Sequence, residues 1–187
     1  MNTTYLFVEI IISGIQCMVW ILLFILTLTG ADWLNNLSKI DLSNWMVLLS
    51  LVGLSFSYTL GIIVDRLGDW MFVAWDRTIQ AKYLKGKTQT IASLRHKIDN
   101  TSYFKHIEYT RSRLRIVRSS TLNFFMTSIA LILFIQKTNF MEASQKFLFS
   151  WVSLLAGGAL TALSVYSWHT ITHSNYKTII DATKDKS

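Results

Sequence analysis

The 187-residue chain is 51% hydrophobic, with a mean hydropathy of +0.36 and a formal net charge of +7. That much apolar content is more than a soluble domain of this size can bury, so composition excludes an ordinary water-soluble fold and points to lipid. The lone cysteine, Cys17, excludes an intramolecular disulfide and gives no sign of an oxidising compartment.

A helix needs about 20 consecutive apolar residues to cross a hydrocarbon core of about 30 Å. The first such run is residues 5–28. It differs from a cleaved secretory leader, because no Lys or Arg precedes it, Glu9 interrupts its start, and its apolar run is longer than a leader core needs. Glu9, Ser13 and Gln16, with Trp20, fall on one helical face. A carboxylate inside an apolar span is costly, so Glu9 is expected to line a water-filled path, relay protons, or pair with an arginine at the membrane edge. Cys17 reads as a small packing residue. After this run, Trp33, Leu37 and Ile40 recur at helical spacing, which suits a short amphipathic helix on the membrane surface or an irregular loop.

The second run is residues 45–64, where Gly53, Ser57 and Gly61 recur every four residues. Small side chains at that spacing let helix backbones approach closely where lipid supplies no hydrophobic drive; the alternative is a pore-lining or partner face. Nothing in the sequence then forces a break, since the chain has no proline, and Gly86 between Lys85 and Lys87 is the clearest turn signal. The second helix is therefore expected to run to about Leu84 and the third to begin near Ser102, which can cap it. Both overrun the membrane, so residues 65–118 form a helical stalk, capped by a short element carrying Ile91, Leu94 and Ile98 and faced by Tyr103, Phe104 and Ile107.

At the base of this stalk, Asp65, Arg66 and Asp69 reach the same level as Arg111, Arg113, Arg115 and Arg118. An ion-pair network that fixes the register of the two helices is one expectation; contact with anionic lipid headgroups or a phosphorylated ligand is another. Two aspartates without histidines or further acids make a poor metal site. Direct nucleic-acid binding is not expected, because Tyr103, Phe104 and Tyr109 are wanted for packing.

The third run, residues 116–136, is long enough if Arg118 snorkels back to the headgroups. The fourth is residues 147–168, with a second small-residue patch at Ala156, Gly157, Gly158 and Ala162. His169 and His173 follow it four apart, but two imidazoles do not complete a metal centre. No phosphate loop, nucleophile elbow or zinc-protease pattern occurs, so neither enzyme activity nor a cofactor is expected.

Twelve of the 18 Lys and Arg residues lie between 65 and 118, and alternate loops are basic. The positive-inside rule then places both termini and the stalk in the cytoplasm, with Trp33 and Trp45 in the outer interfacial belt and Tyr166 and Trp168 in the inner one. No repeat or linker divides the chain, so residues 1–187 read as one all-α integral membrane domain.

The stretches Gly61-Ile-Ile-Val-Asp-Arg-Leu-Gly-Asp69 and Tyr109-Thr-Arg-Ser-Arg-Leu-Arg-Ile-Val-Arg-Ser-Ser-Thr-Leu-Asn123 resemble small four-span bacterial membrane proteins of anti-phage operons, such as the Kiwa-type membrane subunit and membrane accessories of RNA-targeting CRISPR systems. The resemblance implies a helical oligomer in the bacterial inner membrane that acts with a soluble partner. The expected function is thus a homo-oligomeric pore or sensor subunit with a soluble cytoplasmic partner. The competing expectation is a passive anchor that recruits a cytoplasmic protein through the basic segment.

Overall fold

The computed structural model describes residues 3–30, 43–84, 101–138 and 141–184. The amphipathic outer segment around Trp33, the Gly86 turn and the Ile91–Ile98 element lie outside these residues. Four long helices account for nearly all of the described chain: α1 Thr3–Thr29, α2 Met46–Leu84, α3 Thr101–Lys137 and α4 Ala143–Lys184. A single 3₁₀ turn, Ser43–Trp45, leads into α2. All four helices are long and apolar enough to cross a membrane.

Local chemistry sets the helix ends. Gly30 sits at φ 79°, in the left-handed region, and its N–H donates to the Leu26 carbonyl at 3.0 Å, closing α1 with the residue type that accepts this conformation without strain. At the start of α4 the Gln145 side chain accepts from the Glu142 backbone N–H at 3.4 Å, satisfying a donor that the helix itself leaves free.

The two central helices follow the sequence closely. With 39 residues, α2 is about 58 Å long at 1.5 Å per residue, and it reaches Leu84 without a break. α3 begins at Thr101, so Ser102 lies inside its first turn rather than ahead of it. The fourth helix differs. An end near Trp168 was expected, yet α4 continues to Lys184, so three helices rather than two extend beyond their apolar runs. The physical reason is that Trp168, Thr172, Tyr176 and Ile179 recur at spacings of four and three, and all four are buried.

The helices do not form a closed square bundle. α1 packs on α2 and on α3, α4 packs along α3, and among the described residues α1 and α4 make no contact. In the apolar half of the molecule α1, α2 and α3 therefore form a three-helix group, with α4 flanking α3. Toward the basic half, α4 meets α2 through an aromatic core. The Phe72 and Trp168 rings lie 4.6 Å apart, Trp75 packs edge-on to Phe72, and Ile79, Ile107, Leu114, Tyr176 and Ile179 complete the cluster. Trp168 is 2% exposed, so it is a core residue and not the interfacial ring expected; Tyr166 points outward and Trp45 is exposed, as interfacial rings would be.

Candidate functional site

Glu9, Ser13, Gln16 and Trp20 lie on one face of α1, and that face is turned onto α3. Ser112 Oγ donates to Glu9 Oε1. About two turns further along, Ser120 Oγ donates to Gln16 Oε1 at 3.3 Å. Asn123 is the centre of the seam: its Nδ2 donates to the Ser13 carbonyl at 2.9 Å and to Gln16 Oε1 at 3.3 Å, while its Oδ1 accepts from Trp20 Nε1 at 3.1 Å. Asn123 is almost wholly buried, and each of these bonds joins it to α1. The α1 positions step by four, three and four residues; Ser112, Ser119 and Asn123 on α3 step by seven and four. Two polar stripes of matching period thus close on each other between parallel helices. Such bonds between apolar spans contribute about 0.6 kcal/mol each on average, so the seam acts mainly by fixing register.

Small residues set how closely the helices approach. Gly14 lies against the Ser57 carbonyl, and Gly61 against the carbonyl of Ile10; a Cβ at either position would fall inside the opposing backbone. Ser57 Oγ donates across the same contact to the Ile11 carbonyl at 2.9 Å. On the other side of α3, Gly157 lies against Ser128, whose Oγ donates to the Ser153 carbonyl at 3.0 Å. Ser57 and Gly61 therefore lie where α1 and α2 approach closely. Among the described residues nothing lies within 4 Å of a Cβ placed at Gly53 or Gly158, and Ala162 is exposed. Gly157, next to the expected Gly158, makes the close approach.

At the base of the seam a small cavity, about the size of one water molecule, opens among α1, α2 and α3 and is lined by Glu9, Ser13, Asp65, Arg115 and Ser119, with Gly61 at one wall. Beside it Arg118 Nη2 lies 2.8 Å from Asp69 Oδ1. The structure thus brings together Asp65, Asp69, Arg115 and Arg118 from the expected ion-pair network, and leaves Arg66, Arg111 and Arg113 exposed. Arg113 lies over the Tyr109 ring, 5.7 Å from its centre.

In the basic half, the His169 and His173 rings lie 4.4 Å apart, and Tyr83 Oη is 2.9 Å from His173 Nδ1. Tyr176 Oη donates to Asp76 Oδ1 at 2.9 Å, linking α4 to α2. Among the described residues no three His, Cys, Asp or Glu side chains gather at one place.

The α3 half of the seam was missed by sequence reasoning. Ser112, Ser119, Ser120 and Asn123 look like ordinary polar residues of a helix that leaves the membrane, and only their spacing of seven and four marks a face. The sequence matches no protein-family model, and no curated protein or solved structure matches it.

Proposed function

We propose that the chain is the membrane subunit of an oligomeric sensor: its four helices sit in the bacterial inner membrane with both termini cytoplasmic, and its basic helical stalk engages a soluble cytoplasmic partner. The observation that carries this reading is continuity. α2, α3 and α4 run without a break from the apolar half into the basic half, where they share one aromatic core. A shift of the helices within the membrane is therefore transmitted to the stalk, because packed helices move as units rather than deform smoothly.

Between the two roles expected from the sequence, the geometry favours the sensor over the pore. The polar face of α1, the best candidate for a wet lining, makes its hydrogen bonds with α3 of the same chain. An oligomer draws support from Gly53, Gly158 and Ala162, small outward residues that suit close approach by a helix of a second copy. Arg66, Arg77, Lys82, Arg111, Arg113 and Lys177 are all exposed on the basic half and supply a surface for an acidic partner.

Ion flux in proteoliposomes tests the choice. The sensor reading predicts sealed vesicles. A leak that Glu9→Gln changes would overturn it in favour of a pore. The passive-anchor alternative rests on the same basic surface and differs in one respect: an anchor recruits its partner equally well when α1 is uncoupled from α3 by Asn123→Leu, whereas a sensor does not.

A further inference from the structure

The buried residues of α2, Ser57, Gly61, Val64, Gly68, Phe72 and Ile79, fall on one seam. α1 meets that seam at Gly61, α3 at Gly68 and α4 at Phe72, so the opposite side of α2 is left uncovered. On that side Ile62, Arg66, Trp70, Val73 and Arg77 follow at spacings of four, four, three and four. At about 100° per residue they make one stripe. All five are exposed, Trp70 at 75%.

The charges of α2 are sorted by side. Asp65, Asp69 and Asp76 lie off the stripe and are engaged elsewhere: Asp69 with Arg118, Asp76 with the Tyr176 hydroxyl, and Asp65 at the cavity with Arg115. Arg115 and Arg118 act on Asp65 more strongly than Arg66 does. Among the described residues neither Arg66 nor Arg77 has an ion-pair partner. The outward stripe is therefore apolar along the span and carries only cations and an indole at its basic end.

We infer that this stripe binds an anionic phospholipid of the cytoplasmic leaflet, with the phosphate between Arg66 and Arg77 beside Trp70 and the acyl chains along Ile62 and Ile63. The inference rests on the membrane reading above. Continuity selects a lipid, because the apolar side of α2 passes into the basic end without a covering helix, and an exposed indole suits the headgroup level. Geometry suits a phosphate. Arg66 and Arg77 are about 16 Å apart along the axis. Helical side chains lean toward the N-terminus, which for α2 is the apolar half, so Arg77 leans back toward the membrane while Arg66 snorkels toward the headgroups. Guanidinium groups converging in this way can each take phosphate oxygens in pairs. A second copy packed on the same face would set arginine against arginine. The basic surface left to a soluble partner is thereby narrowed, with Arg111 and Arg113, on α3 and off this stripe, at its centre.

The test is native mass spectrometry of the full chain from nanodiscs of mixed phosphatidylcholine and phosphatidylglycerol, counting the lipids that stay bound as the bilayer is stripped away. Phosphatidylglycerol should be retained in preference. Arg66→Gln and Arg77→Gln should each reduce that preference about fivefold, the order of one basic side chain at an anionic surface. Both side chains are exposed, so neither change disturbs packing. Replacing Arg111 and Arg113 by Gln should leave the preference as it is. Equal retention of the two lipids in the parent overturns the inference alone, whereas a chain that does not enter a bilayer overturns the membrane reading and the inference with it. A preference that falls equally in the Arg111 and Arg113 variant also overturns it, since net charge rather than this face would be responsible. So does loss of a co-purifying soluble protein, with lipid retention unchanged, when Arg66 and Arg77 are replaced; the face would then belong to that protein.

Discussion

Trp20 and Asn123 are joined across α1 and α3 by a 3.1 Å bond from the indole Nε1 to the carboxamide Oδ1, so a large apolar ring and a small buried amide act as one register pin. With Asn123 also donating to the Ser13 carbonyl and to Gln16, the loss of its side-chain amide removes three interhelical bonds together. Asn123→Leu should therefore destabilise the protein by about 1–2 kcal/mol, given about 0.6 kcal/mol per bond and up to about 1.7 for the best. Reversible unfolding in bicelles measures it, with Ser55→Ala as a control whose hydroxyl bonds only within its own helix.

Gly14 and Gly61 are fixed by contact rather than by backbone conformation. A side chain at either would collide with the carbonyl of Ser57 or of Ile10, and backbone cannot move aside as a flexible side chain can. Gly61→Leu should separate α1 from α2 and abolish monodisperse purification, while Gly53→Leu, into open space, should leave the single chain folded. Size-exclusion chromatography of the pair distinguishes them. A lowered assembly mass in Gly53→Leu would also place that glycine in a contact between copies.

Trp168→Ala should cost about 3–5 kcal/mol, the range for truncating a buried aromatic residue, and the loss should fall on the basic half. Hydrogen exchange should speed up in α4 beyond residue 165 and in α2 around Phe72, with the seam near Asn123 little changed. Tyr166→Ala, two residues away and 68% exposed, should have little effect on exchange.

His173 gives the basic half a dependence on pH. It lies beyond the apolar run that ends at Trp168, and burial, followed by the neighbouring His169 and Lys82, holds its pKa below the usual 6.5. The folded state thus prefers the neutral ring, to which the Tyr83 hydroxyl donates at Nδ1 in one tautomer. An unfolded chain takes up this proton more readily, so the stabilisation is complete above about pH 6.5 and is lost as pH falls through the lower folded value. Melting temperature should fall between pH 7.5 and 5.5, and His173→Gln should flatten that slope. An equal slope in the variant would remove His173 from the account.

Much of the architecture was legible in the residues. Four apolar runs gave four helices, and the absence of proline gave the overrun of α2 to Leu84, since nothing between Val64 and Leu84 interrupts the backbone hydrogen bonding. The polar face of α1 was legible because a carboxylate is conspicuous among apolar residues. Its partner was not, because Ser112 and Ser120 sit where α3 is already polar and carry no contrast with their neighbours. The extension of α4 was missed for a related reason: Thr172, Asn175 and Tyr176 dilute the apolar signal that marks a span, yet they are buried against other helices rather than exposed. Hydropathy reports contact with lipid, and helices that bury mixed surfaces on one another escape it. The choice of Gly157 over Gly158 depends on a rotation of about 100° per residue, finer than a patch of small residues can specify.

The mass of the assembly in native nanodiscs drawn from the membranes of its own host tests the central claim most directly. The sensor account predicts several copies of this chain carrying a soluble protein in fixed stoichiometry, with the soluble protein lost when Arg111 and Arg113 are replaced by Glu. A homo-oligomer with no soluble protein bound, in vesicles that conduct ions, would contradict it.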